Sequence, residues 1–223
     1  MIVAALIPAL NEARTIQAVV AGIRPRVAHV VVVDDGSADA TASLARAAGA
    51  EVVAQERTGG KGLAIRAGLT HITKRPFTHV VTLDGDLQHE PGEAGRLIEA
   101  AARTGADLVI GERQFRREAT PESRYYANLV GSRVLSWFVG SPVSDTQCGF
   151  RMYRLDAMRD LRLTSRGYEI ETEMLIKLRR HGARVTSVPI TAVYASERSR
   201  LRPVRDTTKT CFLAVYYQFL ERL

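Results

Sequence analysis

Short apolar runs and helix-patterned segments alternate five times through the first half of this 223-residue chain, and most of the runs end on polar or acidic residues. The purest run is His29-Val30-Val31-Val32-Val33-Asp34, whose continuous β-branched stretch suits a strand covered on both faces. Ile2–Pro8, Glu51–Ala54, His79–Asp84 and Asp107–Ile110 are its partners. Between them lie helical patterns from Asn11 to near Pro25, over Ala38–Ala48, over Gly62–Thr73 and from Pro91 to Gly105. Asn11 and Ser37 are expected as N-caps, Pro91 in a first turn and Gly105 as a stop. This order predicts an α/β fold, a mainly parallel sheet with helices on both faces and a Rossmann-like half. Ligands of such sheets bind beyond the carboxyl ends of the strands. Asn11, Asp34, Asp35, Asp84 and Asp86 all fall there.

After residue 113 the pattern loosens. A charged loop over Arg113–Pro121 precedes a helix Glu122–Val139, a strand Gly149–Tyr153, a helix Ile170–Arg180 and a strand Val185–Val188. Ser196–Arg205 is a basic loop carrying Arg198, Arg200, Arg202 and Arg205. Phe212, Val215, Tyr216, Phe219, Leu220 and Leu223 then recur at helical spacing as one apolar stripe. The expected division is one domain over 1–206 and an amphipathic helix over 207–223.

The net charge of +7 points to anionic partners. No aromatic interleaving of the arginines supports a nucleic-acid surface, so nucleotide phosphates or an acidic membrane face are expected instead. Cys148 and Cys211 match no metal-ligand spacing and read as reduced thiols of a cytoplasmic protein. Met1–Pro8 lacks a basic segment before it and reads as a buried strand and not a signal peptide. No run reaches the roughly 18 to 20 apolar residues that cross a bilayer.

The chemistry concentrates in Asp84-Gly85-Asp86-Leu87-Gln88-His89. Carboxylates spaced i, i+2 on extended backbone point to one face, where they repel unless a cation lies between them. Oxygen donors select a hard divalent ion, Mg²⁺ or Mn²⁺, of the kind that bridges phosphates. Gly85 lets the backbone approach a ligand closely. An acidic turn closing a strand is the plain alternative. Asp34 and Asp35 can accept hydrogen bonds from a base or ribose, although turn formation alone would explain Asp35-Gly36-Ser37. Gly59-Gly60-Lys61-Gly62 fails as a P-loop, because Gly62 stands where Ser or Thr must follow the lysine. It reads as a glycine turn before a helix, from which Lys61 can reach phosphate or base.

Five motifs occur in order: Pro8-Ala9-Leu10-Asn11-Glu12, Asp34-Asp35-Gly36-Ser37, Gly60-Lys61-Gly62, Asp84-Gly85-Asp86-Leu87-Gln88-His89-x-Pro91 and Asp145-Thr146-Gln147-Cys148-Gly149-Phe150-Arg151. Over nearly its whole length the chain resembles the dolichyl/polyprenyl-phosphate mannose (or glucose) synthases of family 2 glycosyltransferases. The resemblance implies the GT-A fold, an inverting mechanism, a divalent cation, and a donor of the GDP-mannose or UDP-glucose/UDP-GlcNAc type. It places Pro8, Asn11, Glu12, Asp34, Asp35, Lys61, Asp84 and Gly85 on the nucleotide. Asp84, Asp86 and Gln88 would hold the metal. Asp86, Arg113, Arg124, Asp145 and Arg200 would serve transfer: Arg113 and Arg124 near an acceptor phosphate, Arg200 or a neighbour in its loop as the family's late basic residue, and Asp145 with the Gly149-Phe150-Arg151 turn shaping the sugar and acceptor side. The implied acceptor is polyprenyl or dolichyl phosphate.

Many relatives continue into transmembrane helices, whereas the sequence stops at Leu223. The apolar stripe then suits peripheral contact at the cytoplasmic face of a membrane, packing on its own domain, or a homodimer. The competing functions are a glycosyltransferase with a soluble hydroxyl acceptor, a sugar nucleotidyltransferase and a binding module. A hydroxyl acceptor needs a base, which Glu171 or Glu173 could provide. Most of Glu169–Glu173 reads as a solvated helix face.

Overall fold

Period-2 alternation decides which way each strand residue points, and here it builds two cores on one sheet. In the computed structural model, which describes residues 1–113, 145 and 148–191, β1 (Val3–Ala9), β2 (His29–Asp34), β3 (Glu51–Ala54) and β4 (His79–Thr82) are mutually parallel. Ala4, Leu6, Val31, Val33 and Val80 face one core; Ala5, Ile7, Val30, Val32 and Val81 face the other. The first core is closed by α3 (Lys61–Ile72), through Ile65, Leu69 and Ile72, and by the later helix Ile170–Arg180. The second is closed by α1 (Ile16–Ile23), through Val19, Val20 and Ile23, and by α4 (Ala94–Thr104), through Leu97 and Ala101. A short α2 (Thr41–Ala47) adds Ala45 to it. β1, β2 and β4 are therefore covered on both faces, as the continuous valine run of β2 requires.

The sheet has seven strands in the order β3-β2-β1-β4-β6-β5-β7, where β5 is Leu108–Arg113, β6 is Arg151–Arg154 and β7 is Val185–Ile190. β5 and β7 pair in parallel, while β6 runs antiparallel to both β4 and β5. The remaining helices are α5 (Leu155–Met158) and α6 (Ile170–Arg180). The reversal of β6 matters for function. It brings the Cys148–Phe150 turn, which precedes β6, to the pole where β1, β2 and β4 end.

Element types agree with the sequence pattern, and several boundaries do not. The first helix starts at Ile16, because Asn11 adopts a left-handed φ of 50° and turns the chain before it. α2 starts at Thr41, held by the Asp39 carboxylate that accepts the Thr41 amide at 2.9 Å, so Ser37 does not cap it. Pro91 opens a 3-10 turn, Pro91–Glu93, before α4. Gly105 ends α4 at φ 62°, a conformation favoured by glycine. The acidic cluster of α6 is not a solvated face: Glu171 and Glu173 are buried. Glu173 accepts the amides of Thr164 and Ser165 at 2.9 and 2.8 Å and pairs with Lys177 at 2.9 Å. The helix expected over Glu122–Val139, the loop residues 114–121 and 196–205, Cys211 and the C-terminal stripe lie outside the described residues.

At the opposite pole Glu51, first in β3, gathers three basic side chains. Arg75 reaches it through two nitrogens at 2.6 and 2.8 Å, His29 at 2.7 Å and His71 at 2.8 Å. Hydrogen bonding to Arg75, helped by the two histidines and opposed by burial, lowers the Glu51 carboxyl from 4.5 to about 2. A depressed carboxyl contributes stability above its unfolded value that is lost as pH falls through its folded one. Wild-type protein should therefore lose melting temperature between pH 4.5 and about 2 more steeply than Glu51→Gln. Parallel curves for the two proteins would remove this cluster from the account of acid stability.

Candidate active site

Three loops leaving the carboxyl ends of β1, β2 and β4 are tied together by hydrogen bonds of their own. Asn11 donates its amide to Ser37 Oγ at 2.8 Å, and its Oδ1 accepts the Ala38 amide at 2.8 Å. The Glu12 amide donates to Thr41 Oγ1 at 2.8 Å. Thr15 Oγ1 donates to the Gly85 carbonyl at 2.6 Å, which fastens the first loop to the acidic one. Gly85 lies close beneath Glu12, whose Cγ would be 3.4 Å from an added Cβ. Pro8 stays inside β1, opposite Val33. The mouth sits between β1 and β4, where the chain order along the sheet changes direction, the usual binding crevice of such sheets.

Asp34 and Asp35 are both buried and do different things. Asp34 Oδ1 accepts the Ser37 amide at 3.2 Å. Asp35 accepts the Gly59 and Gly60 amides, one on each oxygen, at 2.8 and 2.9 Å. Asp35 thus fixes the glycine turn that starts α3. Gly60 has φ 98°, and a Cβ there would stand 2.5 Å from the Arg166 carbonyl. Only glycine fits.

That turn delivers Lys61 to the acidic loop. Its ammonium lies 2.6 Å from Asp84 Oδ1 and 2.6 Å from Glu171 Oε1, and 5.5 Å from the centre of the Tyr168 ring. Burial works against the charge on Lys61, but Asp84 and Glu171 outweigh it and hold the ammonium well above its usual range. Asp84 is likewise opposed by burial and lowered by Lys61. Asp86 behaves oppositely: burial, and then the charge of Asp84, push its carboxyl up to about 6. Its Oδ1 accepts the Gln88 amide at 3.1 Å. Asp84, Asp86 and Gln88 supply the oxygens that could hold a hard cation. Among the described residues no three His, Cys, Asp or Glu form a metal cage, so such an ion would need oxygens from a bound ligand as well.

The other wall comes from β5, β6 and α6. Arg113, last in β5, grips the fully buried Asp145 through Nε at 2.5 Å and an NH2 at 2.9 Å. Burial opposes the Asp145 charge, and Arg113 lowers its pKa. The pair is a bidentate strut across the site. Gly149 presses on the acidic loop: a Cβ there would meet Asp84 Oδ2 at 2.7 Å and Lys61 Nζ at 2.9 Å. Thr82 Oγ1 donates to the Gly149 carbonyl at 2.8 Å and sets this height. Gly149→Ala should consequently lower turnover about a hundredfold with little change in melting temperature, by the reach of a sub-ångström displacement. Unchanged turnover in that variant would show that Asp84 has room to move.

His89 is buried against Phe150, with Nε2 3.8 Å from Cys148 Sγ and no partner for Nδ1 among the described residues. Burial, aided by Arg113, lowers its pKa to about 4, so it stays neutral. Burial also pushes the Cys148 thiol up to about 12, which makes it an inert packing group. Nothing in the residue pattern marks Thr15 or Thr82 as part of this pole, whereas Arg151 entered with the Gly149-Phe150-Arg151 turn and not as a buried anchor. Glu171 had a signal: acids at 169, 171 and 173 cannot share one solvent face of a helix. Arg124 and Arg200 lie outside the described residues.

Residues 4–162 match the sequence family described as Glycosyl transferase family 2. The chain belongs to that family. It is a glycosyltransferase, and its sheet and helices are those of the GT-A fold. Among relatives of this family 2 enzyme, glycosyltransferase AglJ of Haloferax volcanii is 35% identical over 208 residues, covering 90% of this chain and 67% of AglJ. Undecaprenyl-phosphate mannosyltransferase of Micrococcus luteus is 34% identical, covering 86% of this chain and 84% of its own. Glucosyl-3-phosphoglycerate synthase of Mycobacterium tuberculosis, solved with Mn²⁺, UDP-glucose and phosphoglyceric acid, superposes with a TM-score of 0.75 over 97% of this chain and 79% of that one. At 22% identity it supports the fold alone.

Proposed function

We propose that this family 2 enzyme moves a hexose, with inversion, from a nucleotide sugar to polyprenyl or dolichyl phosphate, using Mg²⁺ or Mn²⁺. The observation that carries the proposal is the Asp84/Asp86 pair at the crevice, two close carboxylates of which one has its pKa pushed up by burial and by the other. A divalent ion relieves that repulsion, and a diphosphate supplies the oxygens this pole lacks. The M. luteus relative, whose name specifies undecaprenyl phosphate, supports the lipid phosphate acceptor. The Mn²⁺ and UDP-glucose recorded for the M. tuberculosis structure agree with the cation and the donor.

In this reading Pro8, Asn11, Glu12, Asp34 and Asp35 shape the nucleoside cleft, with Asp35 acting through the glycine turn it holds. Lys61 would face the diphosphate, Gly85 would allow its approach, and Asp84, Asp86 and Gln88 would hold the metal. The ion would neutralise charge growing on the leaving diphosphate. Asp145 fixes Arg113, and Arg113 with Arg124 and Arg200 would position an acceptor phosphate against the sugar. A phosphate monoester oxygen is already anionic at neutral pH, so transfer to it requires orientation and charge balance and no strong base. Glu171, bound to Lys61, and Glu173, bound to two amides and Lys177, are in keeping with that. The proposed division remains a catalytic domain over 1–206 and a helix over 207–223 that contacts a membrane from the cytoplasmic side. No described helix is long and apolar enough to cross one.

A small soluble acceptor is the second reading, favoured by the likeness to the phosphoglycerate enzyme. Incubating the protein with Mn²⁺, a panel of UDP- and GDP-sugars, and either a short polyprenyl phosphate or phosphoglycerate separates the two. A glycosyl-phosphate lipid is the expected product. Transfer to phosphoglycerate alone would overturn the lipid acceptor.

A further inference from the structure

One half-buried cation serves two carboxylates from two different elements, and its backbone cannot retreat. Lys61 stands at the first residue of α3, between glycines whose added Cβ atoms would each meet a carbonyl at 2.5 Å, Arg166 for Gly60 and Ser165 for Gly62. The Gly62 amide donates to the Arg166 carbonyl at 2.8 Å, and Asp35 holds Gly59 and Gly60. The lysine can therefore answer a change in its surroundings only by turning its side chain. Glu171 is fixed on its side, because Arg151 donates to its carbonyl at 2.7 Å from the fully buried interior.

One ammonium faces two carboxylates, with Asp86 near the first of them. When ionised, Asp84, Asp86 and Glu171 carry three negative charges against the Lys61 ammonium and the Arg151 guanidinium that Glu171 also feels, so the acidic loop keeps an excess of negative charge that a cation relieves. Yet that ion must use Asp84, whose Oδ1 the ammonium already holds at 2.6 Å. A metal bonds carboxylate oxygen at about 2.0–2.1 Å. Two cations on one carboxylate stand only a few ångström apart, where their repulsion is strong. A nucleotide diphosphate changes this, because it offers the ammonium new oxygens while Glu171 keeps it from leaving.

We propose that Lys61, tethered by Glu171, is a resident counter-ion for Asp84 that makes divalent-cation binding conditional on the nucleotide diphosphate. The inference rests on the metal site of the proposed function and adds an order to it. Without a diphosphate, Lys61 guards Asp84 and the metal binds weakly. With one, Lys61 passes to phosphate and Asp84 to the metal. Glu171 is then a positioning residue, acting through Lys61 and not on the sugar.

Mn²⁺ titration of the full chain, followed by the electron paramagnetic resonance of free aquated Mn²⁺, tests the device without any turnover. Wild-type protein should bind Mn²⁺ alone weakly and at least about tenfold more tightly with UDP or GDP present. Lys61→Met should bind Mn²⁺ alone about tenfold more tightly than wild type, and UDP or GDP should tighten it less. Glu171→Gln removes the competing carboxylate, leaves the ammonium wholly to Asp84, and should weaken Mn²⁺ alone several-fold. A cooperative melting transition identifies which variants are folded. If folded Lys61→Met binds Mn²⁺ alone no better than wild type, the exchange is wrong while the metal site stands. Should that variant not fold, Glu171→Gln binding Mn²⁺ as tightly as wild type overturns the exchange in its place. Failure of wild-type protein to bind Mn²⁺ even with both diphosphates would overturn the metal site and the exchange with it.

Discussion

Asp86→Asn should lower sugar transfer on the order of a thousandfold while leaving the protein as stable as before, or more so. The two halves of this expectation have one cause. Asp86 is forced by burial and by Asp84 to a pKa of about 6, above its ordinary 3.8. A carboxyl raised in the folded state costs stability as pH climbs from its unfolded value through its folded one. At pH 7, without metal, the negative charge of Asp86 is thus a burden on the fold. Asparagine keeps the oxygen that accepts the Gln88 amide and removes the charge. The same charge is what a divalent ion would use. Melting at pH 7 and initial rates with Mn²⁺ measure the two effects separately. Full activity of the Asp86→Asn variant in EDTA would remove the metal from the mechanism, and a large drop in melting temperature would make Asp86 a structural residue.

Much of this site was legible because strands and their ends obey local rules. The valine run of β2 announces burial on both faces, and the cores confirm it residue by residue: Val31 and Val33 on one side, Val30 and Val32 on the other. Polar residues after such runs must fall at the carboxyl ends of the strands, so Asp34, Asp35, Asp84 and Asp86 could be assigned to one pole from order alone. Direction was not legible. Gly149–Tyr153 has strand composition whichever way it runs, and only the sheet shows that β6 is antiparallel and brings Gly149 against Asp84.

Buried charge was the other blind spot. A sequence pattern treats most of the acids at 169–173 as surface groups and does not show that Arg151 is fully buried, because such residues are seldom fully buried unless paired. Their partners are carbonyls, amides and ammonium groups contributed by segments distant in sequence. Asn11 departs from its expected capping role for a related reason. Its side chain does satisfy a backbone amide, but that of Ala38 across the crevice and not one in the helix that follows it.

Arg151→Met should be the most destabilising single change at this pole, by about 3–5 kcal/mol and on the order of 10 °C in melting temperature. Arg151 has no exposed surface. It donates from Nε to the Cys148 carbonyl at 2.7 Å and from NH1 to the Glu171 carbonyl at 2.7 Å. Burial opposes its charge, but Tyr153 and Glu171 hold the guanidinium above its usual range. Methionine fills part of the volume and leaves two carbonyls without those donors, where an unmet buried acceptor costs about 1–3 kcal/mol. Lysine keeps the charge but not the planar fork that reaches two carbonyls at once, so Arg151→Lys should recover only part of the loss. The loosened parts are the Cys148–Phe150 turn and the first turn of α6. These carry Gly149 and Glu171 against Asp84 and Lys61. In the folded fraction, KM for the nucleotide sugar should therefore rise more than kcat falls. Urea unfolding of the three proteins orders them as wild type, Arg151→Lys, Arg151→Met. Equal midpoints for wild type and Arg151→Met would show that the buried guanidinium contributes nothing net, and the turn at Gly149 would then need another anchor.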